Sequence, residues 1–188
     1  MSEPSLEGAV AQRGTSVERS GGSDERLREE PSALSHTDEH GRARMVDVAD
    51  KGPTARSAIA TGWVRTTAQV IDLLRRDDLP KGDALATARI AGIMAAKKTP
   101  ELVPLCHPIA LSGVVIDLVL TETAVGITAT VRTTDRTGVE MEALTAVAVA
   151  GLTLHDMIKA VDPAAVLDAV QVERKDGGKT GTWLRPEK

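Results

Sequence analysis

A chain of 188 residues is long enough for one domain with a substantial hydrophobic core. Its formal net charge of −4 and its lack of Phe and Tyr, with only two Trp, oppose a nucleic-acid binder, which needs a basic field and aromatic stacking platforms. A single cysteine, Cys106, excludes an internal disulfide and points to a reducing, cytoplasmic setting.

Residues 1–33 are rich in Ser, Gly, Glu and Arg and show no apolar period, so they read as a disordered tail ahead of a domain at 34–181. The tail lacks the apolar stretch of a secretory signal, and its Glu residues argue against a transit peptide. Residues 42–56 read as a loop with a short extended piece at 45–48, and 57–65 alternate as a strand does. Thr66 with Gln69 predicts a capping box that opens a helix over 67–76, with Val70, Ile71 and Leu74 on one face. Asp83 caps a second helix over 84–98, Ala-rich and apolar nearly all round, hence buried on several sides. Thr99-Pro100 stops it, and prolines around Cys106-His107 make 101–112 a rigid loop.

Residues 113–121 and 126–134 predict a hairpin. Thr137 and Glu140 predict a second capping box, opening a long helix over 138–161 that Asp162-Pro163 closes. Its apolar stretch 143–154 is shorter than the roughly 20 residues a bilayer requires, so it reads as a buried helix with no membrane role. Residues 169–174 form a last strand, and 182–188 a flexible C-terminus. The order predicts an α+β fold, a ferredoxin-like sandwich with helices packed on one face of an antiparallel sheet.

Polar residues interrupt this apolar pattern at a few places. Asp83 is an ordinary N-cap, but Lys81 beside it opposes the helix macrodipole unless an anion lies between them; free N–H groups and a lysine suit a phosphate. Cys106 and His107 are too few for a zinc site. The thiol reads as a small buried group and the imidazole as an acid, a base or a hydrogen-bond donor, against the ordinary alternative of a satisfied histidine. Glu140 serves the capping box, whereas Glu142 faces either solvent or a site. Asp156 and Lys159, at i and i+3, form either a surface ion pair worth about 0.2–0.5 kcal/mol or a pair that tunes proton transfer. Gly177-Gly178-Lys179-Thr180 looks like the end of a phosphate-binding P-loop, but position 173 is Glu and no helix follows, which rejects that motif. A glycine loop carrying Lys179 to an anion and a loose terminus both remain open.

Glu142 and Asp156 lie about 21 Å apart along a straight helix rising 1.5 Å per residue. They cannot touch one small substrate within one chain. Either one end acts alone, or two chains pack so that opposite ends meet, with Lys81 joining Asp156 across the interface.

Taken in order, Met45-Val46-Asp47-Val48, Lys81-Gly82-Asp83, Ala88-Arg89-Ile90-Ala91-Gly92-Ile93, Ala96-Lys97, Leu105-Cys106-His107-Pro108, Thr137-Gly138-Val139-Glu140-Met141-Glu142-Ala143-Leu144-Thr145, Asp156-Met157, Lys159-Ala160 and Gly177-Gly178-Lys179 closely resemble the MoaC family of cyclic pyranopterin monophosphate synthases in molybdenum cofactor biosynthesis. The resemblance spans about residues 34–181. It implies a lyase that converts 3′,8-cyclo-7,8-dihydroguanosine 5′-triphosphate to cyclic pyranopterin monophosphate and pyrophosphate. It implies a homohexamer, a trimer of dimers, with sites at dimer interfaces. By position, Asp156, Lys159, Lys81 and His107 would be catalytic, and Leu105, Cys106, His107, Met141, Glu142, Lys179, Arg56 and Lys97 would bind substrate. No tightly bound cofactor and no metal site are implied; Mg²⁺ stands as an optional companion of the triphosphate. His155 stands where the family usually has Tyr, Ile158 where Cys is common, and Asp135-Arg136 replaces a more usual Gly-Lys. A non-catalytic nucleotide-binding protein on the same scaffold, and a hydrolase using Cys106 and His107, are the alternatives.

Overall fold

The computed structural model describes residue 40 and residues 42–187; the tail expected at 1–33 lies outside them. Strand β1 (Thr54–Arg65) is followed by helices α1 (Ala68–Arg76), α2 (Ala84–Ala96) and the short α3 (Thr99–Leu102). The hairpin β2 (Leu111–Leu120) and β3 (Ala124–Asp135) leads into the long helix α4 (Glu140–Ile158), then β4 (Val166–Asp176) and β5 (Trp183–Leu184). The strands form one antiparallel sheet in the order β2-β3-β1-β4-β5. The α+β class, the sandwich and the antiparallel sheet agree with the sequence reading.

Local chemistry sets the element ends, in places differently from expectation. Thr67, not Thr66, caps α1: its hydroxyl oxygen accepts from the Val70 N–H at 3.4 Å. Thr66 instead donates to the Asp162 carboxylate at 2.7 Å, tying the start of α1 to the chain leaving α4. Asp83 caps α2 as expected, accepting from the Ala86 N–H at 2.8 Å. Thr99-Pro100 ends α2 and also opens α3, since a proline in a first helical turn gives up no hydrogen bond. The Thr137–Glu140 capping box does not form; Val139 is the N-cap of α4 and no side chain caps it. The Glu140 carboxylate turns back over Gly138, into space that a Cβ there would fill. At the C-terminus, where a flexible end was expected, Trp183 and Leu184 pair with Lys175 and Arg174.

Helix α4 lies across β1, β3 and β4 and packs along α2, which also covers β2. Its apolar composition and length would suit a membrane span, but Ala143, Ala146, Val147, Ala150, Leu154 and Ile158 are fully buried in the core. With no Phe or Tyr, the core is built from Ala, Val, Ile and Leu with Met157, and its layers sit close together. Gly62 makes room on β1, where a Cβ would stand 2.6 Å from Val147 Cγ1. Gly92 does the same on α2, where a Cβ would stand 3.0 Å from the Ala146 carbonyl and 3.3 Å from Ala150 Cβ.

Some of the side chains left outside this core are also apolar. On the helices, Ile90, Met94 and Leu152 are 59%, 54% and 60% exposed. On the far face of the sheet, Val115 and Val119 are 49% and 61% exposed.

Gly92→Leu will force α2 away from α4, because the nearest atom is a helix backbone carbonyl. Overpacking of this kind costs roughly 1–3 kcal/mol. A melting midpoint lower by about 2–4 °C per kcal/mol, read by circular dichroism, is the expected result.

Candidate active site

Helices α2 and α4 run antiparallel, as the Gly92 contact with Ala146 and Ala150 and the Lys81 contact with Asp156 require. The start of α2 therefore meets the end of α4. A turn closed by the Gly82 N–H to the Leu79 carbonyl at 3.0 Å, with Gly82 at φ 85°, presents Lys81 there. The Lys81 ammonium donates to Asp156 Oδ2 at 2.7 Å and to the Asp156 carbonyl at 2.8 Å. The Lys159 ammonium holds the other carboxylate oxygen at 2.8 Å. Lys81 thus escapes the positive end of α2 by reaching the negative end of α4. The anion that its placement called for is a side chain of the same molecule. The expectation that Lys81 meets Asp156 across two chains is corrected: antiparallel packing brings them together within one.

All three side chains are about half exposed, so the cluster adds little to stability. Its consequence is electrostatic. The hydrogen bond from Lys159, then that from Lys81, lowers the Asp156 carboxyl to about 2. At neutral pH Asp156 is ionised and flanked by two ammonium donors, so base and acids stand within one hydrogen bond of each other.

The opposite end of α4 holds a different group. Leu105, Cys106, His107, Met141 and Glu142 line one hollow of about 310 Å³ together with Val46, Val48 and Lys51. His107 Nε2 lies 2.7 Å from the Val46 carbonyl. Glu142 is only 2% exposed, and burial raises its carboxyl above the ordinary range; its own backbone N–H opposes this and the Glu140 charge adds to it. Burial, then the Glu142 charge, raises the Cys106 thiol as well. A thiol pushed up is a poor nucleophile, which counts against the cysteine-hydrolase alternative.

A smaller hollow of about 100 Å³ adjoins the first, with Gly138 and Glu140 lining both. Arg56, Lys175 and Lys179 bring positive charge to it. Arg56 is fixed by donating Nε–H to the Asp135 carbonyl at 3.0 Å. Its guanidinium lies over Gly178, where a Cβ would stand 2.7 Å from Nη1. Gly177 and Gly178, at φ 89° and 73°, shape the loop that carries Lys179. Lys97, the exposed C-cap of α2, lies towards the Glu142 end of α4 but lines neither hollow. Sequence reading missed Lys51 and Lys175 as lining residues. Both are unremarkable lysines in sequence, and only the meeting of β1, β4 and the segment before β1 gives them a place. Among the described residues, no group of three or more His, Cys, Asp and Glu is arranged to hold a metal ion.

The sequence-derived residues therefore fall into two sets, one at each end of a 19-residue helix. Lys81, Asp156 and Lys159 form one. Arg56, Leu105, Cys106, His107, Met141, Glu142 and Lys179 gather at the other.

Two titrations follow. In the Lys159→Met variant the Asp156 carboxyl, followed by carbon-13 resonance, will move up from about 2 towards 3.8, and further with Lys81→Met added. Glu142 binds its proton more tightly folded than unfolded, so stability falls as pH rises from its unfolded value through its raised folded value. Glu142→Gln removes that penalty. Its melting midpoint relative to the parent will be higher at pH 8 than at pH 4, and equal differences at both would refute the assignment.

The MoaC family model matches residues 45–178. The chain is 60% identical over 166 residues to cyclic pyranopterin monophosphate synthase 2 of Mycobacterium tuberculosis, covering 88% of this chain and 97% of that protein. It is 64% identical over 152 residues to cyclic pyranopterin monophosphate synthase of Streptomyces coelicolor, covering 81% and 89%. To the protein of the same name from a Nocardioides species it is 60% identical over 163 residues, covering 85% and 100%. The matched span runs from the segment bound by His107 to the glycine loop and contains both ends of α4, and this chain belongs to the MoaC family.

Proposed function

We propose that this chain is a phosphorus–oxygen lyase of molybdenum cofactor biosynthesis, converting 3′,8-cyclo-7,8-dihydroguanosine 5′-triphosphate to cyclic pyranopterin monophosphate and pyrophosphate. The relatives' names support the reaction. The observation that carries the assignment to residues is the Asp156 carboxylate held between Lys81 and Lys159.

The reaction needs proton transfers, attack by water and loss of pyrophosphate, with no change in oxidation state. Asp156, ionised and exposed, is suited to accept a proton, and Lys159 and Lys81 to donate one or to stabilise developing oxyanion charge. Before it acts as a base, Asp156 must give up part of its hold on the lysines, and an arriving phosphate or carbonyl oxygen can take over their hydrogen bonds. Arg56 and Lys179 offer positive charge for the triphosphate, and Lys97 at the end of α2 is a further lysine for it. Glu142, kept protonated further up the pH scale than an exposed carboxyl, can donate a hydrogen bond to the ring system. His107 supplies a further acid or base, and Leu105, Cys106 and Met141 line the space for the rings. The reading needs no tightly bound cofactor; Mg²⁺ would arrive with the triphosphate. The free thiol of Cys106 supports a reducing, cytoplasmic setting.

One chain holds the two residue sets about 21 Å apart, too far for one small substrate. The reading therefore includes a homohexamer, a trimer of dimers, in which the Asp156 end of one chain completes the Glu142 end of another. Two apolar surfaces on opposite sides of the sandwich, one with Ile90, Met94 and Leu152 and one with Val115 and Val119, support an assembly that uses more than one interface.

Asp156→Asn and Lys159→Ala will each abolish pyrophosphate release from the cyclic GTP-derived substrate while melting like the parent. Full release by both would sink the residue assignment, and none from the parent would sink the activity. Mixing tests the shared site. Lys81→Ala refolded with His107→Ala places one intact site in each mixed dimer and will recover about a quarter of parental activity. Lys81→Ala refolded with Asp156→Ala will recover none, because the two residues belong to the same half of each site and one chain supplies that half.

A further inference from the structure

Residues 44–53 precede β1 as a strap over the larger hollow and form a turn but no helix or strand. The strap has its own internal order. The Ala49 N–H donates to Asp47 Oδ1 at 2.8 Å, and the Lys51 N–H to the Val48 carbonyl at 3.1 Å. Val46 and Val48 are half-buried, while Met45, Asp47 and residues 49–53 are exposed. Val46, Val48 and Lys51 of the strap and Cys106, His107 and Glu142 beyond it line the same hollow.

The bond from His107 fastens this strap to the loop before β2. A carbonyl oxygen only accepts, so at 2.7 Å from the Val46 carbonyl His107 Nε2 carries the hydrogen. In the neutral ring that choice leaves Nδ1 with a lone pair. One nitrogen is committed to the protein, and the other is the ring atom left for chemistry.

We infer that His107 is a positioning residue as well as a site residue: its Nε2–H holds the 45–51 strap across the Glu142 hollow through the Val46 carbonyl, and Nδ1 is the nitrogen that meets substrate. The inference rests on the proposed activity only for the role of Nδ1; the strap bond stands independently of it. Strap and imidazole both line the hollow, and Lys51 rides on the strap into its lining.

Two amide replacements separate the nitrogens. Gln carries its NH₂ near the place of Nε2, and Asn near the place of Nδ1. In His107→Asn, hydrogen exchange of the Ala49 and Lys51 amides in the full chain will quicken about five- to tenfold, and KM for the triphosphate will rise by a similar factor. His107→Gln will keep exchange and KM within about twofold of the parent while kcat falls, because Nδ1 is gone. Parental melting curves establish that both variants fold. Parental exchange rates in His107→Asn, or rates in His107→Gln as fast as those in His107→Asn, would overturn the strap role. Undiminished kcat in His107→Gln would overturn the role of Nδ1. Should the parent release no pyrophosphate, the activity reading fails while the exchange rates still decide the strap.

Discussion

The rigidity and length of α4 govern the rest of this molecule. A helix of 19 residues extends about 28 Å, and it carries Glu142 at one end and Asp156 near the other. Its middle is locked by burial against β1, β3, β4 and α2, so neither end can swing towards the other. The candidate site residues that the fold gathers are therefore divided between its two ends by which element meets α4 there. Antiparallel α2 delivers Lys81 to the Asp156 end. The loop after α3, the start of β1 and the glycine loop after β4 deliver His107, Arg56 and Lys179 to the Glu142 end.

That locking depends on small side chains. A core without Phe or Tyr buries less area per residue, so its stability rests on close approach. Gly151 against Leu167, Gly62 against Val147, and Gly92 against Ala146 and Ala150 show this close approach. Apolar groups also stand on both outer faces of the sandwich, where they point away from this core.

The two ends differ in electrostatic character. At the Asp156 end, exposure and two ammonium partners keep a carboxylate ionised down to about pH 2. At the Glu142 end, burial favours the protonated carboxyl and the protonated thiol of Cys106. One fold thereby offers an exposed base with acids beside it and, at a distance, a buried carboxyl that holds its proton more tightly than an exposed one. In the proposed assembly, a second chain brings the two kinds of group together around one substrate.

Much of this was legible in the sequence. Apolar periodicity marked the strands and helices, Asp83 marked its cap, and the i, i+3 spacing put Asp156 and Lys159 on one face, because these follow from backbone geometry within a few residues. The helix length already separated Glu142 from Asp156. Family motifs named the remaining site residues. The sequence misplaced the caps at Thr66 and Thr137, since a hydroxyl that can cap a helix is also free to bond elsewhere, as Thr66 does with Asp162. It left β5 out, because two residues have no readable period. Only the tertiary structure decided that Lys81 answers Asp156 within one chain, that Glu142 is buried, that Lys51 and Lys175 line the hollows, and that His107 grips Val46. Each of those depends on which distant segments pack together and in which direction, and that is set by the antiparallel crossing of α2 and α4 over the sheet, not by any local run of residues.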